Sequence, residues 1–278
     1  MAGGALIAAC GGSSARSCCD TSVTGPAPST DVQAPLAGSV TKTLAAKNAS
    51  FSVDYAGSDG GPLSSYGGSG IADFAADKFQ LSLQLPGFGT VEERVIGNDV
   101  YVKGPPIENL PAQKPWSKVS ITDISANSST GLDLESENPA QLLTTLRGIT
   151  GAITKVGTAE VRGVQATHYR ADVDYAKAVK ASGSDSAMLD QFAKSLGIGS
   201  VPEDVYVDRD GLVRRLSVTI KPATLPSTLP GAPSLPATVT TMTVDLYDFG
   251  TTDVSDITAP PSGQVGPSTG PSSGSPTG

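Results

Sequence analysis

Histidine and tryptophan each occur once in the 278 residues, and cysteine three times, always before position 20. A folded middle so poor in these types cannot hold a His- or Cys-based metal cage, and most zinc and thiol chemistry is excluded with it. Charged residues make up 17% and aromatics 5%, too little Glu, Lys and Arg for a coiled coil or a long helical bundle. Cations are outnumbered, 19 Lys and Arg against 27 Asp and Glu for a formal charge of −8. With no basic stripe, binding to nucleic acid is excluded, and an anionic leaflet would repel the chain. No run of 18 apolar residues could cross a bilayer as a helix.

Recognisable catalytic patterns are equally scarce. No G-x-S-x-G falls on a strand-to-helix turn where it could supply an activated serine, the pattern occurring only in the Pro/Gly/Ser-rich 266–274. His168 shares a strand face with Arg170 and Asp172, a solvent face by alternation. Asp208 and Asp210 ahead of Gly211 lack the rest of a calcium loop and read as a hairpin turn. Glu92 and Glu93 are sequence neighbours on a strand, so they face opposite ways and form no acid/base dyad. The glycine-rich stretch from Gly57 to Gly70 has neither the Lys nor the helix of a phosphate cradle, and reads as a mobile loop. No catalytic residue, metal site or cofactor is expected.

What the chain does have is 32 Gly and 21 Pro, hence many turns, and two polar ends. Ile7-Ala8-Ala9-Cys10 followed by Gly11 has the form of a bacterial lipobox, in which small residues precede a cysteine that is acylated, for example with palmitate, and becomes the mature N-terminus. Residues 1–10 hold no Lys or Arg and are shorter than an export signal. They read as a truncated signal whose start was assigned too late, or else as an ordinary flexible terminus. Residues 11–34 are rich in Gly, Ser, Thr and Pro and read as a flexible tether of about 27 Å root-mean-square span. Cys18 and Cys19 lie within it, with no neighbouring field to activate a thiol. Residues 259–278, with Pro, Gly, Ser or Thr at 17 of 20 positions, read as a disordered tail.

Between these ends, residues 35–258 form one expected domain. Leu36, Val40 and Leu44 recur every four residues, predicting a helix over 32–47. The period then falls to two. Phe51, Val53 and Tyr55, then Phe79, Leu81, Leu83 and Leu85, alternate with polar residues and predict strands with one buried face. GSGIADFAAD reads as a strand between them. Hairpins are expected at Gly97-Asn98-Asp99, where Gly and Asn supply positive φ, at Arg162-Gly163 and at Asp208 to Gly211. Trp116 opens a short strand, and TVTTMTVDLYDF reads as the last. Asn138-Pro139 predicts a capped helix start. Further helical patterns occur in DYAKAVKA and in SDSAMLDQFAKSLG, where Met188, Leu189, Phe192 and Leu196 share a face. The expected fold is α+β: one curved antiparallel sheet of nine to eleven strands, lidded by three or four helices.

The order of these motifs, from the lipobox and GSGIADF through GNDVYVK, Trp116, the Asn-Pro-led helix and VGTAEVRGVQATHYRADVD to VYVDRDGLVRRL, resembles the actinobacterial LppX/LprG lipoproteins, related in fold to the LolA carrier. The resemblance covers about residues 35–250. It implies a half-barrel around a hydrophobic cavity that binds acyl chains of lipids or glycolipids and carries them between membranes. It also implies an extracytoplasmic envelope location, anchored to the cell membrane through acylated Cys10. An export pump or another envelope protein is a possible partner, and the expected state is a monomer. From alternation, the cavity-lining residues are expected to be Phe51, Val53, Tyr55, Phe79, Leu81, Leu83, Leu85, Leu216, Val218 and Ile220. Burying acyl methylenes gains about 0.8 kcal/mol each relative to water and almost nothing relative to a bilayer, the balance a carrier needs. Two other readings stay open: a lipoprotein sensor that reports envelope state to a membrane regulator, and a structural surface lipoprotein whose sheet is filled by its own side chains.

Overall fold

The computed structural model describes residues 33–58, 64–104, 114–120, 138–149, 153–174, 177, 200–220 and 239–266. The alternating segments become eleven strands: β1 (Asn48–Gly57), β2 (Ser65–Asp73), β3 (Lys78–Leu85), β4 (Gly89–Ile96), β5 (Asp99–Lys103), β6 (Ser117–Ser120), β7 (Thr154–Val161), β8 (Val164–Asp174), β9 (Ser200–Asp208), β10 (Val213–Ile220) and β11 (Thr240–Tyr247). They form a single antiparallel sheet in the order β6-β5-β4-β3-β2-β1-β11-β10-β9-β8-β7, not closed into a barrel. Each half is a meander of sequential neighbours. The halves join where the first strand meets the last, with Phe51 opposite Leu246, Val53 opposite Val244 and Tyr55 opposite Met242.

The turns fall where expected, with positive φ at Gly97 and at Arg162 rather than at Asn98. Gly97, Arg162, Gly163 and Gly211 take positive φ, which suits tight hairpins between right-twisted strands. Asp208 closes its turn by accepting from Leu212 N through Oδ1 at 2.9 Å. Because every neighbouring pair is antiparallel, the connections alternate between the two ends of the sheet. Turns 74–77, 97–98, 162–163 and 209–212 share one end. From the other end leave the hairpin 86–88 and the connections from β1 to β2, β5 to β6, β8 to β9 and β10 to β11.

Helix α1 (Gln33–Ala45) and the short α2 (Pro139–Thr145) pack on the inner face. Asn138 caps α2, its Oδ1 accepting from Ala140 N at 2.9 Å and Gln141 N at 3.4 Å, with Pro139 in the first turn as the sequence predicts. Thr43 of α1 accepts from Val213 N at 2.9 Å, tying the helix to β10. Leu36, Val40, Leu142, Leu143 and Leu146 join the apolar inner row of the sheet in one buried cluster. The pattern over SDSAMLDQFAKSLG, and all of DYAKAVKA except Lys177, lie outside the described residues.

Two expectations are corrected. The glycine-rich stretch is strand from Ser65 onward, and β2 contains Gly67, Gly68 and Gly70. These glycines serve close packing, for a Cβ on Gly70 would overlap the Gln80 carbonyl oxygen and lie 2.6 Å from Phe51 Cζ. The Phe51 ring thus occupies the space that a side chain at position 70 would need. The second correction concerns the C-terminal boundary. Residues 259–266 do not begin a tail at 259 but continue a strap along the outer face. Thr252 bonds to Asn48 and Ser50 on β1, Lys78 donates to the Ile257 carbonyl at 3.3 Å, and Arg94 donates to the Thr258 carbonyl at 2.9 Å. Val265 then bridges Trp116 in parallel, with Trp116 N donating to Gln264 O and Gly266 N to Trp116 O. Backbone carbonyls and Ile257, which is buried, offset the ordering cost that the Pro/Ser/Gly composition suggested could not be met.

Two outcomes test this packing. Gly70→Ala is expected to destabilise the protein by roughly 1–3 kcal/mol through overpacking, measured as a lower urea midpoint at unchanged slope. Trp116→Ala is expected to release the strap selectively. Amides of 257–266 should then exchange with solvent much faster, while those of the central strands keep their protection.

Candidate functional site

The inner face is the candidate site, and its composition follows from period-two alternation over adjacent strands in register. Phe51 and Val53 of β1 sit beside Leu246 and Val244 of β11, which continue into Leu216 and Val218 of β10. On the other side, Gly68 and Gly70 of β2 separate β1 from Leu83 and Leu81 of β3. Every expected lining residue with a described side chain lies on this face. Phe51, Val53, Tyr55, Phe79, Leu81, Leu83, Leu216 and Val218 are buried, and Leu85 is partly buried at its rim. Ile220 is placed in β10 opposite Thr240, but its side chain lies outside the described residues, as does Cys10 entirely.

Aromatic contacts organise the row. Phe51 and Phe79 meet edge to face with ring centroids 6.2 Å apart, a favoured arrangement because ring edge and ring face carry opposite partial charge. Tyr55 and Tyr66 stack at 4.5 Å near the end from which the longer connections leave.

Two carboxylic acids interrupt this apolar surface, and both were missed as site candidates from the sequence. Glu93 lies between Leu81 and Val102, and Glu203 between Val218 and Ala171; each is only 1% exposed. The signal was present in the alternation, since Glu93 falls in the row of Val91 and Val95, and Glu203 in the row of Val201 and Val205. Thr145, at the end of α2, donates its hydroxyl to the Leu142 carbonyl at 2.6 Å, and its oxygen lies 3.4 Å from Glu203 Oε1. Glu203 is therefore the polar point at which the helix meets the sheet. Glu92, as expected, faces the opposite way and pairs with Lys103 at 3.0 Å.

The outer face carries the polar residues. Arg170 holds Asp204 through two hydrogen bonds of 3.0 Å, and His168 Nε2 meets the same carboxylate at 2.7 Å. The His168 ring stacks on Tyr206 with centroids 4.3 Å apart and planes 5° from parallel. Burial acts to raise the Asp204 pKa, but hydrogen bonds from Arg170 and His168 outweigh it and hold the group below its ordinary value. This is a structural cluster: His168 lies with Arg170 on the polar face, and its partner carboxylate is already engaged by a guanidinium. No group of three or more His, Cys, Asp and Glu suited to a metal ion occurs among the described residues. Nor is any helix among them long and apolar enough to cross a membrane.

No family model matches the chain. An uncharacterized 31.2 kDa protein of Streptomyces griseus, from the rplA-rplJ intergenic region, is 29% identical over 140 residues. The match spans 47% of this chain and 46% of that protein, so the chain aligns with less than half the length of this relative. Among solved structures, the chain is similar to mycobacterial lipoproteins. LppX of Mycobacterium tuberculosis is 18% identical with a TM-score of 0.45, the match covering 78% of this chain and 96% of LppX. LprF of Mycobacterium bovis is 13% identical with a TM-score of 0.44, over 84% and 98% of the two chains.

The Asp204 cluster predicts a pH dependence. A carboxyl held below its unfolded pKa contributes stability above that pKa and loses it as pH falls. Asp204→Asn is therefore expected to lower the thermal midpoint at neutral pH. It should also flatten the loss of stability between about pH 5 and about pH 3, as measured by thermal melts across that range.

Proposed function

We propose that the inner face binds the acyl chains of envelope lipids or glycolipids and that the protein carries them between membranes, anchored at its own membrane through acylated Cys10. The observation that supports this reading is the apolar row that runs from β3, across the glycines of β2, to β1, β11 and β10. Antiparallel sheets commonly pack one face on a core and leave the other to water, and here the polar outer face and the apolar inner face divide in that way. Only two short helices cover the inner face among the described residues. The row itself is buried beneath and beside them, and a hydrocarbon chain taken up against it would gain about 0.8 kcal/mol per methylene relative to water. Glu93 and Glu203 give the site polar points against which a headgroup could be positioned. Binding of this kind needs no catalytic group, and none is assigned.

Native mass spectrometry of the full chain, purified without detergent, tests the proposal. The expected result is a protein carrying additional mass that organic extraction identifies as lipid. Leu83→Ala is expected to shift the amount or identity of the bound lipid. A bare polypeptide mass under gentle conditions would instead favour the structural lipoprotein with a self-filled interior.

A further inference from the structure

Two large apolar side chains are exposed among the described residues, Phe88 at 56% and Val156 at 52%. Val156 lies within β7, at the edge of the sheet. Phe88 is different, because it sits at a hairpin tip. Residues 86–88 join β3 to β4, and the turn is hydrogen-bonded, with Phe88 N donating to Leu85 O at 3.0 Å. Gly87 and Gly89, at φ +80° and +97°, flank the phenylalanine in conformations that residues with side chains rarely adopt. Ordered backbone thus holds an aromatic ring in water at the tip of a hairpin.

Three further observations indicate what covers it. The apolar residues along β3 pass from interior to exterior in a graded series: Leu81 and Leu83 are buried, Leu85 is half-buried and Phe88 is exposed. No charged residue occurs between Lys78 and Glu92, and Glu92 is neutralised by Lys103, so the hairpin tip is uncharged in a chain of net charge −8. Finally, the tip lies at the end of the sheet from which the connections after β1, β5, β8 and β10 leave, close to the Tyr55–Tyr66 stack. An uncharged aromatic tip continuous with an apolar interior matches a bilayer interface, where aromatic rings partition favourably and an acidic tip would be repelled.

We propose that the Phe88 hairpin enters the headgroup region of a bilayer and so sets the adjoining end of the inner face, where Leu85 is half-buried, against the membrane. This rests on the lipid-carrier reading for its purpose, but its test is independent. Trp116 is the single tryptophan, so Trp116→Phe with Phe88→Trp moves the only indole to the tip. Cys10→Ser in the full chain ensures that no acyl group anchors it. On addition of phosphatidylcholine vesicles, the indole at position 88 is expected to shift its emission to the blue and to be quenched by brominated acyl chains. In the Cys10→Ser chain that keeps Trp116, Phe88→Ser is expected to lower vesicle binding about tenfold, the partition change of one aromatic side chain, with the thermal midpoint unchanged. An indole at position 88 that stays fully accessible to aqueous acrylamide with vesicles present overturns the proposal, as does equal vesicle binding by Phe88→Ser. Loss of binding to a protein partner, with vesicle binding intact, likewise overturns it. Bound lipid in the mass spectrum alongside a water-exposed tip would reject the hairpin's role alone. A membrane-inserted tip on a chain that never carries lipid would reject the carrier reading alone.

Discussion

The pairing of β1 with β11 is the constraint on which the rest of the molecule depends. Each half of the sheet can be built from neighbouring hairpins, but the continuous inner face exists only when Phe51, Val53 and Tyr55 align with Leu246, Val244 and Met242. A slip of one residue at this seam would turn one half's apolar row toward water. The partners are nearly the full length of the domain apart in sequence, so the seam carries the largest loop-closure cost of any strand pair. Topologies dominated by such contacts fold slowly. The seam is correspondingly well secured, with cross-strand Ser217–Thr243 and Thr219–Thr241 bonds beside it and the Arg215–Asp245 pair on the outer face.

The division of labour between the two faces follows from that seam. Polar pairs, a His–Tyr stack and the strap secure the outer face, so the inner face does not have to provide all of the stability. Trp116 and Ile257 are buried under or within the strap rather than in the main cluster, and Arg94 lies 4.9 Å from the Trp116 ring centroid, within cation–π range. With its outer side fastened in this way, the sheet can present a long greasy surface inward with two carboxylic acids set into it. Buried acids of this kind stabilise a fold poorly compared with apolar residues of the same volume.

Much of this was legible in the sequence, for reasons that differ by element. Strands with clean alternation, such as KFQLSLQL, had only one way to bury an apolar face, and the turns at Gly97 and Arg162-Gly163 left little choice of connection. Asn138-Pro139 marked a helix start because the cap chemistry is local. The Glu93 and Glu203 positions could have been read from the same alternation, but their charge made them look like surface residues. The strand order was not legible, because a mid-sheet seam between first and last strands leaves no local mark. The strap was misread for a related reason. Its composition offers little burial of its own, and the groups that hold it, Lys78, Arg94 and Trp116, belong to strands and connections far away in sequence.

The alternation of connections between the two ends of the sheet gives the molecule one tightly sewn end and one end that is free to differ. Close turns at 97–98, 162–163 and 209–212 fix strand register, so a residue gained or lost there would propagate through every neighbouring pair. Changes of length in the connections at the opposite end, Phe88's own hairpin excepted, leave that stitching untouched. A lineage could therefore remodel the rim around the inner face while inheriting the sheet unchanged.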